Sequence, residues 1–172
     1  MQTKRVIEYI VDWLRQYAAD AGVNGFVVGV SGGIDSAVTS TLCARTGFPV
    51  IALDMPIRQA ETQKRLAAKH VSWLKERFDN AAEQTADLTQ VLAAFEQSLP
   101  ADIQDDLTMA NTRARIRMTA LYAYATHHRM LVAGTGNKVE DFGVGFFTKY
   151  GDGGVDIAPI ADLMKSEVYV FS

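Results

Sequence analysis

The 172-residue sequence predicts an α/β fold: a doubly wound, mainly parallel sheet with helices on both faces. Three features carry that expectation. Short apolar runs at 26–30, 50–53 and 130–133 are separated by segments of helical periodicity, the alternation that βαβ units produce. The first run passes directly into a glycine turn, Ser31-Gly-Gly-Ile-Asp-Ser36, which opens a helix. Hydrophobic residues make up 48% of the chain, enough for one substantial core, so residues 1–172 are expected to form a single domain.

The elements follow in order. Val6, Ile7, Ile10, Val11, Leu14 and Tyr17 recur at intervals of three and four, predicting an amphipathic helix over 4–19 that Gly22 and Asn24-Gly25 terminate. Phe26–Val30 reads as a strand buried on both faces. The helix after the glycine turn runs to Arg45, Gly47-Phe48-Pro49 breaks it, and Val50–Leu53 is a second buried strand. A helix over 62–78 is expected to turn Leu66, Ala67, His70, Val71 and Leu74 inward. A weak strand at 82–86, a helix containing Val91, Leu92 and Phe95, and a loop at 98–102 complete the middle of the chain, which carries no chemical motif.

From 108 to 127 the chain is again helical, with a narrow stripe of Ala110, Ala114, Met118, Leu121 and Ala125. Asn111 and Arg115 share one face of this helix, and Arg113 and Arg117 another. The fourth strand, 130–133, leaves through a small-residue loop, Gly134-Thr-Gly-Asn-Lys-Val-Glu-Asp141. Glycines at 143, 145, 151, 153 and 154, interleaved with Phe, Tyr, Lys and Asp, make 142–156 resemble a substrate-binding loop. Pro159 closes it, and Asp162 is expected to cap a final helix with Lys165 in its first turn.

Composition narrows the classes. A net charge of −3, from 17 Lys and Arg against 20 Asp and Glu, argues against general nucleic-acid binding. No apolar run approaches the roughly 18–20 residues that span a bilayer. The expected protein is therefore soluble, cytoplasmic and free of membrane contact. Cys43 is the only cysteine, which excludes an internal disulfide and a cysteine zinc cluster. His70, His127 and His128 lack metal-ligand spacing and read as surface or helix-end residues.

The chemistry starts at the glycine turn. Gly32 and Gly33 let backbone approach a ligand, and the free N–H groups of the first helical turn favour an anion. Asp35 places a carboxylate where phosphate is expected, so a cation must lie between them, and Mg²⁺ suits hard oxygen ligands of this kind. A Walker loop is excluded because no Gly-Lys-Ser/Thr follows. If the fourth strand returns beside the first, the glycine turn and the Thr135 loop meet at the switch point, and Asp35 and Glu140 can share one metal. Lys165 opposes the helix dipole at its position, which points to a phosphate partner.

Ser31-Gly-Gly-Ile-Asp-Ser36 resembles the signature loop of the N-type ATP pyrophosphatases, which cleave ATP between the α and β phosphates. Together with Asn111-Thr-Arg-Ala-Arg-Ile-Arg-Met118, Gly134-Thr-Gly-Asn-Lys-Val-Glu140, Phe146-Phe-Thr-Lys-Tyr-Gly-Asp-Gly-Gly154 and Pro159-Ile-Ala-Asp-Leu-Met-Lys165, in the same order, it makes the sequence similar to the NAD synthetase family. The resemblance implies an adenine nucleotide alpha hydrolase-like fold and a ligase that adenylates the nicotinate carboxylate of deamido-NAD and amidates it with ammonia, giving NAD and AMP. ATP is the implied co-substrate and Mg²⁺ the implied cofactor.

Carried over by position, Ser31, Gly32, Gly33, Ile34, Asp35, Ser36, Thr135 and Lys165 contact ATP. Asp35 and Glu140 hold the metal and act in catalysis with Lys165, and Arg115, Lys149 and Asp156 match deamido-NAD contacts. Leu53, Met55 and Arg58 are placed to pack on the adenine base. The resemblance further implies a homodimer, with the helices at 4–19 and 108–127 as plausible interface elements, and free ammonia as nitrogen donor, no fused glutaminase domain being expected. Family domains usually continue past the last helix, so the chain is expected to lack their C-terminal part, with a further ATP contact and the residues that close over deamido-NAD. An ATP pyrophosphatase acting on another acceptor, and a truncated nucleotide-binding protein without turnover, are the alternative readings.

Overall fold

The structure is a computed structural model and describes residues 2–171. In chain order the elements are α1 (Thr3–Ala21), β1 (Phe26–Gly29), α2 (Ile34–Arg45), β2 (Val50–Asp54), α3 (Glu61–Arg77), β3 (Ala81–Thr85), α4 (Thr89–Ser98), α5 (Asp106–His128), β4 (Leu131–Val132) and α6 (Lys165–Phe171). A 3₁₀ turn lies at Ala101–Ile103 and a π-helical turn at Val139–Val144.

The strands form one parallel sheet in the order β3-β2-β1-β4. The chain winds outward from β1 to β3 and then crosses back to place β4 on the other side of β1. That reversal between β1 and β4 is the switch point at which open parallel sheets take ligands. A single parallel bridge, Ala133 to Ile157, extends the sheet beyond β4.

Successive residues of β1 point to opposite faces. Phe26 and Val28 join a core with Leu14, Leu42, Leu74, Ile160 and Val168, drawn from α1, α2, α3 and the C-terminal segment. Val27 joins Ile51, Leu53 and Val132 beneath Met118, Leu121 and Ala125 of α5. Burial on both faces explains why β1 and β2 read as unbroken apolar runs. The ends of the long helices also have local causes: Gly22 closes α1 in the left-handed conformation, and Asp105 caps α5 by accepting the Thr108 N–H at 3.0 Å.

Several expectations need correction. Tyr17 is 42% exposed, and Ala18 takes its place in the core. In α3 only Ala67, Val71 and Leu74 are buried, whereas Leu66 is 55% exposed and its Cβ lies beside Gly32. In α4 only Leu92 is buried, and Val91 and Phe95 face outward. Ala110 of α5 is exposed and borders a cleft.

Asp162 does not cap the last helix. It is fully exposed and pairs with Lys138 at 3.8 Å, while α6 starts at Lys165 and Glu167 accepts the Met164 N–H at 2.9 Å. The loop after β4 also ends earlier than expected, because the Asn137 side chain accepts the Val139 and Glu140 N–H groups at 3.1 and 3.2 Å and starts the π-helical turn. Among the described residues no helix is long and apolar enough to cross a membrane.

Candidate functional site

The site is built on the carboxyl ends of β1, β2 and β4. Past β1 the chain stays tied to the sheet through Val30 N–H to Leu53 O at 3.0 Å, then turns at Ser31–Gly33 into α2. Ser36, almost fully buried, closes this turn from inside: its hydroxyl donates to Gly33 O at 2.9 Å and accepts Ser31 N–H at 3.3 Å. Gly33 stands at the N-cap and supplies no side chain to cap α2, so the first-turn N–H groups are left for an anion. Ile34 turns its side chain to the core, leaving only its backbone for a ligand.

Gly32 has φ +82°, and a Cβ on it would lie 2.7 Å from Gln63 O and 3.1 Å from Ala67 N. The glycine turn thus rests directly on the backbone of α3, an approach that only glycine permits.

Three distant segments converge beside this turn. Asp35, in the first turn of α2, accepts Asn137 Nδ2 on Oδ1 at 2.9 Å and Lys165 Nζ on Oδ2. The same ammonium donates to Glu140 Oε1 at 3.2 Å. Burial alone would lower the Lys165 pKa, but its hydrogen bonds and charge interactions with Asp35 and Glu140 outweigh that and hold it above the ordinary lysine value. Asn137 is fully buried and sets the geometry of both carboxylates, fixing Asp35 directly and Glu140 through its backbone N–H.

The donor chemistry fits Mg²⁺. Two carboxylates, Asp35 and Glu140, already meet on one cation, the Lys165 ammonium. Among the described residues no three His, Cys, Asp or Glu side chains form a metal-binding group, so such an ion would complete its shell with phosphate oxygens and water, as Mg²⁺ commonly does.

A cleft of about 1020 Å³ opens next to this cluster, walled by Ser31, Thr135, Met55, Arg58, Asn111 and Phe146, among others. Its other charged walls are Arg113, Arg117 and Asp152, so the lining is net cationic and suits an anionic ligand. Arg117 is half-buried and donates to Met55 O at 3.1 Å; burial, and secondarily Arg113, lowers its pKa against the pull of Asp54. Arg58, in the left-handed conformation at φ 48°, forks onto Glu96 at 2.9 and 2.7 Å. Leu53 is fully buried in the core and Met55 reaches the cleft, so of these two apolar residues only Met55 can meet a base there.

The glycine-rich loop is docked on α5. Arg115 Nε donates to Lys149 O at 3.1 Å, Thr148 Oγ1 donates to Asn111 Oδ1 at 2.8 Å, and Gly151 packs against Ala114. Lys149 is exposed, with Nζ 5.1 Å from the Tyr150 ring centroid. Asp156 sits elsewhere: its two oxygens accept Val132 N–H at 2.8 Å and Tyr122 OH at 2.9 Å. Burial and this contact push the Tyr122 phenol up to about 12.

Ser31 and Thr135 therefore share the cleft, Asp35, Glu140 and Lys165 share one charge cluster, Arg115 and Lys149 meet through a backbone bond, and Asp156 stands apart at the sheet edge. Sequence reasoning passed over Asn137, Arg117 as a cleft residue and Tyr122. Asn137 had one visible signal, as the only amide side chain in an otherwise small-residue loop.

The model of the NAD synthase family matches residues 6–172. The NH(3)-dependent NAD(+) synthetase of Mycoplasma pneumoniae is 39% identical, over 99% of this chain and 68% of its own length. The NH3-dependent NAD synthetase of Campylobacter jejuni, solved with a nitrate ion, superposes with a TM-score of 0.90 at 32% identity, covering 99% of this chain and 72% of that one. The NMN synthetase of Francisella tularensis matches with a TM-score of 0.90 at 34% identity, covering 99% and 69%. The chain thus spans about two thirds of the length of these relatives. The sheet order, the glycine turn at its switch point and a match over nearly all of the sequence agree: the chain belongs to the NAD synthase family.

Proposed function

We propose that this chain is an ammonia-dependent NAD synthetase, a ligase forming a carbon–nitrogen bond. The observation that carries the reading is the convergence of Asp35, Glu140 and Lys165 beside the glycine turn, at the switch point where the cleft opens.

In this reading the backbone N–H groups of Gly32 and Ile34, with the Ser31 hydroxyl that the Gly33 N–H holds at 3.2 Å, bind the ATP polyphosphate at the start of α2, and Thr135 approaches it from the loop after β4. Ser36 acts indirectly by bracing the turn. Asp35 and Glu140 would hold Mg²⁺, which when bound offsets the charge of the phosphates. The nicotinate carboxylate of deamido-NAD attacks the α-phosphorus, pyrophosphate leaves, and ammonia then displaces AMP from the acyl carbon to give the carboxamide. Two anions meet in the first step, so the protein's part is positioning and electrostatics. Lys165 supplies positive charge to the polyphosphate, while Arg115 of α5 and Lys149 of the loop docked on it face the acceptor.

No protein nucleophile is needed. Cys43 is buried, and burial pushes its thiol up out of the reactive range, so it takes no part as a nucleophile. A homodimer and a cytoplasmic location belong to the same proposal; α1 exposes Tyr9, Trp13 and Tyr17 as a face that a second copy could cover.

The likeness to an NMN synthetase supports a second reading, in which the same amidation acts on the mononucleotide acceptor. Pyrophosphate release with Mg-ATP and ammonium decides between them. Deamido-NAD is expected to elicit release at lower concentration than nicotinate mononucleotide; the reverse order would move the assignment to the mononucleotide, and release with neither would reject both.

A further inference from the structure

Lys165 stands at the point between two carboxylates that the proposed reaction needs for its metal. Its Nζ donates to Asp35 Oδ2 and to Glu140 Oε1, the latter at 3.2 Å. Asp35 is only 15% exposed and Glu140 35%, and the other oxygen of Asp35 is taken by buried Asn137 at 2.9 Å. Two carboxylates directed at one partly desolvated point repel each other unless a cation lies between them. The ammonium meets that requirement, but an ammonium and a divalent ion cannot occupy the same point. Admitting a metal therefore means breaking two charge-assisted hydrogen bonds of Lys165, and the ammonium then needs new acceptors. Polyphosphate oxygens at the adjacent turn can provide them.

We infer that Lys165 is a resident counter-ion competing with divalent metal for the Asp35–Glu140 pair, so that metal enters with a polyphosphate that draws the ammonium away. Metal binding and nucleotide binding are thereby coupled, each strengthening the other. The inference rests on the proposed metal role of the pair, but not on which acceptor the enzyme uses.

The test is Mn²⁺ binding, followed by the electron paramagnetic resonance of the free ion, to the nucleotide-free full chain. Lys165→Met should bind Mn²⁺ about tenfold tighter than wild type, the factor that 1.4 kcal/mol represents. Wild type should gain comparable affinity only with a non-hydrolysable ATP analogue present, and Lys165→Arg should stay as weak as wild type. Adding Asp35→Asn to Lys165→Met should abolish the gain, which locates the ion.

Equal or weaker Mn²⁺ binding by Lys165→Met without nucleotide overturns the proposal, as does a gain that survives Asp35→Asn. Should the methionine variant fail to fold, Lys165→Gln gives the same comparison. A wrong acceptor would appear instead as missing pyrophosphate release with deamido-NAD, leaving the metal competition intact.

Discussion

Gly32 and Gly33 are adjacent in sequence, yet replacing each with alanine should have very unequal consequences. At Gly32 the backbone is at φ +82°, and the added Cβ would meet Gln63 O at 2.7 Å, Ala67 N at 3.1 Å and Leu66 Cβ at 3.1 Å. The left-handed conformation costs a non-glycine residue roughly 1–2 kcal/mol. Two of the three contacts are helix backbone, which cannot rotate away, so overpacking adds about 1–3 kcal/mol. The expected loss for Gly32→Ala is therefore at least about 2 kcal/mol, or roughly 4–8 °C in melting temperature for a domain of this size.

At Gly33 φ is −85°, and a Cβ would meet only Ser31 Oγ at 3.3 Å, a side chain free to turn. Gly33→Ala should shift stability by no more than about 0.5 kcal/mol. The assay is urea unfolding of both variants, with binding of a non-hydrolysable ATP analogue measured alongside. If Gly32→Ala matched Gly33→Ala in stability, the claim that the glycine turn rests on the backbone of α3 would be refuted.

Further outcomes follow from the charge cluster and its supports. Asp35→Asn and Glu140→Gln should each lower Mg²⁺-dependent turnover by roughly a hundredfold or more, in keeping with electrostatic groups of about 3 kcal/mol, while calorimetry shows deamido-NAD binding little changed; equal loss of both would contradict the metal-ligand roles. Asn137→Ala removes a buried amide serving Asp35 and two backbone N–H groups, so chemical unfolding should show a loss of roughly 2–3 kcal/mol. His70 is half-buried against Ser40 Oγ at 2.8 Å, and burial depresses its pKa below the ordinary 6.5. The unfolded chain therefore binds the proton more readily, so this stability term is full above about pH 6.5 and falls away as the pH drops toward the folded-state value. His70→Gln should flatten the pH dependence of unfolding between pH 5 and 7; an unchanged slope would assign it to other groups.

Much of the fold was legible because β1 and β2 are buried on both faces and so announce themselves as continuous apolar runs. The return of the fourth strand beside the first was a supposition that no single residue encodes, and the strand order β3-β2-β1-β4 meets it. Legibility failed where a pairing is long in sequence. Asp35 is 130 residues from Lys165 and 102 from Asn137, and no local pattern encodes either contact. Lys165 looked misplaced at its position, and only the folded chain shows that two carboxylates hold it there. Asp162 looked like a cap by residue type, but the chain continues past it in a turn before α6 begins. Leu66 fitted the helical period of α3, yet it sits where that helix meets the glycine turn and not the sheet.

Asp156 also bears on how this sheet avoids unwanted company. β4, two residues long, flanks β1, and a flanking strand left uncovered presents amide and carbonyl groups on which a foreign strand could grow. Here the Asp156 carboxylate takes the Val132 N–H, and the backbone N–H groups of Asp156 and Ile157 approach Val132 O at 3.1 and 3.3 Å, so that stretch presents no free template. Asp156, set apart from the cleft, is thus a guard against edge-to-edge aggregation. A change at this position would free the Val132 amide and reopen the strand to a foreign edge.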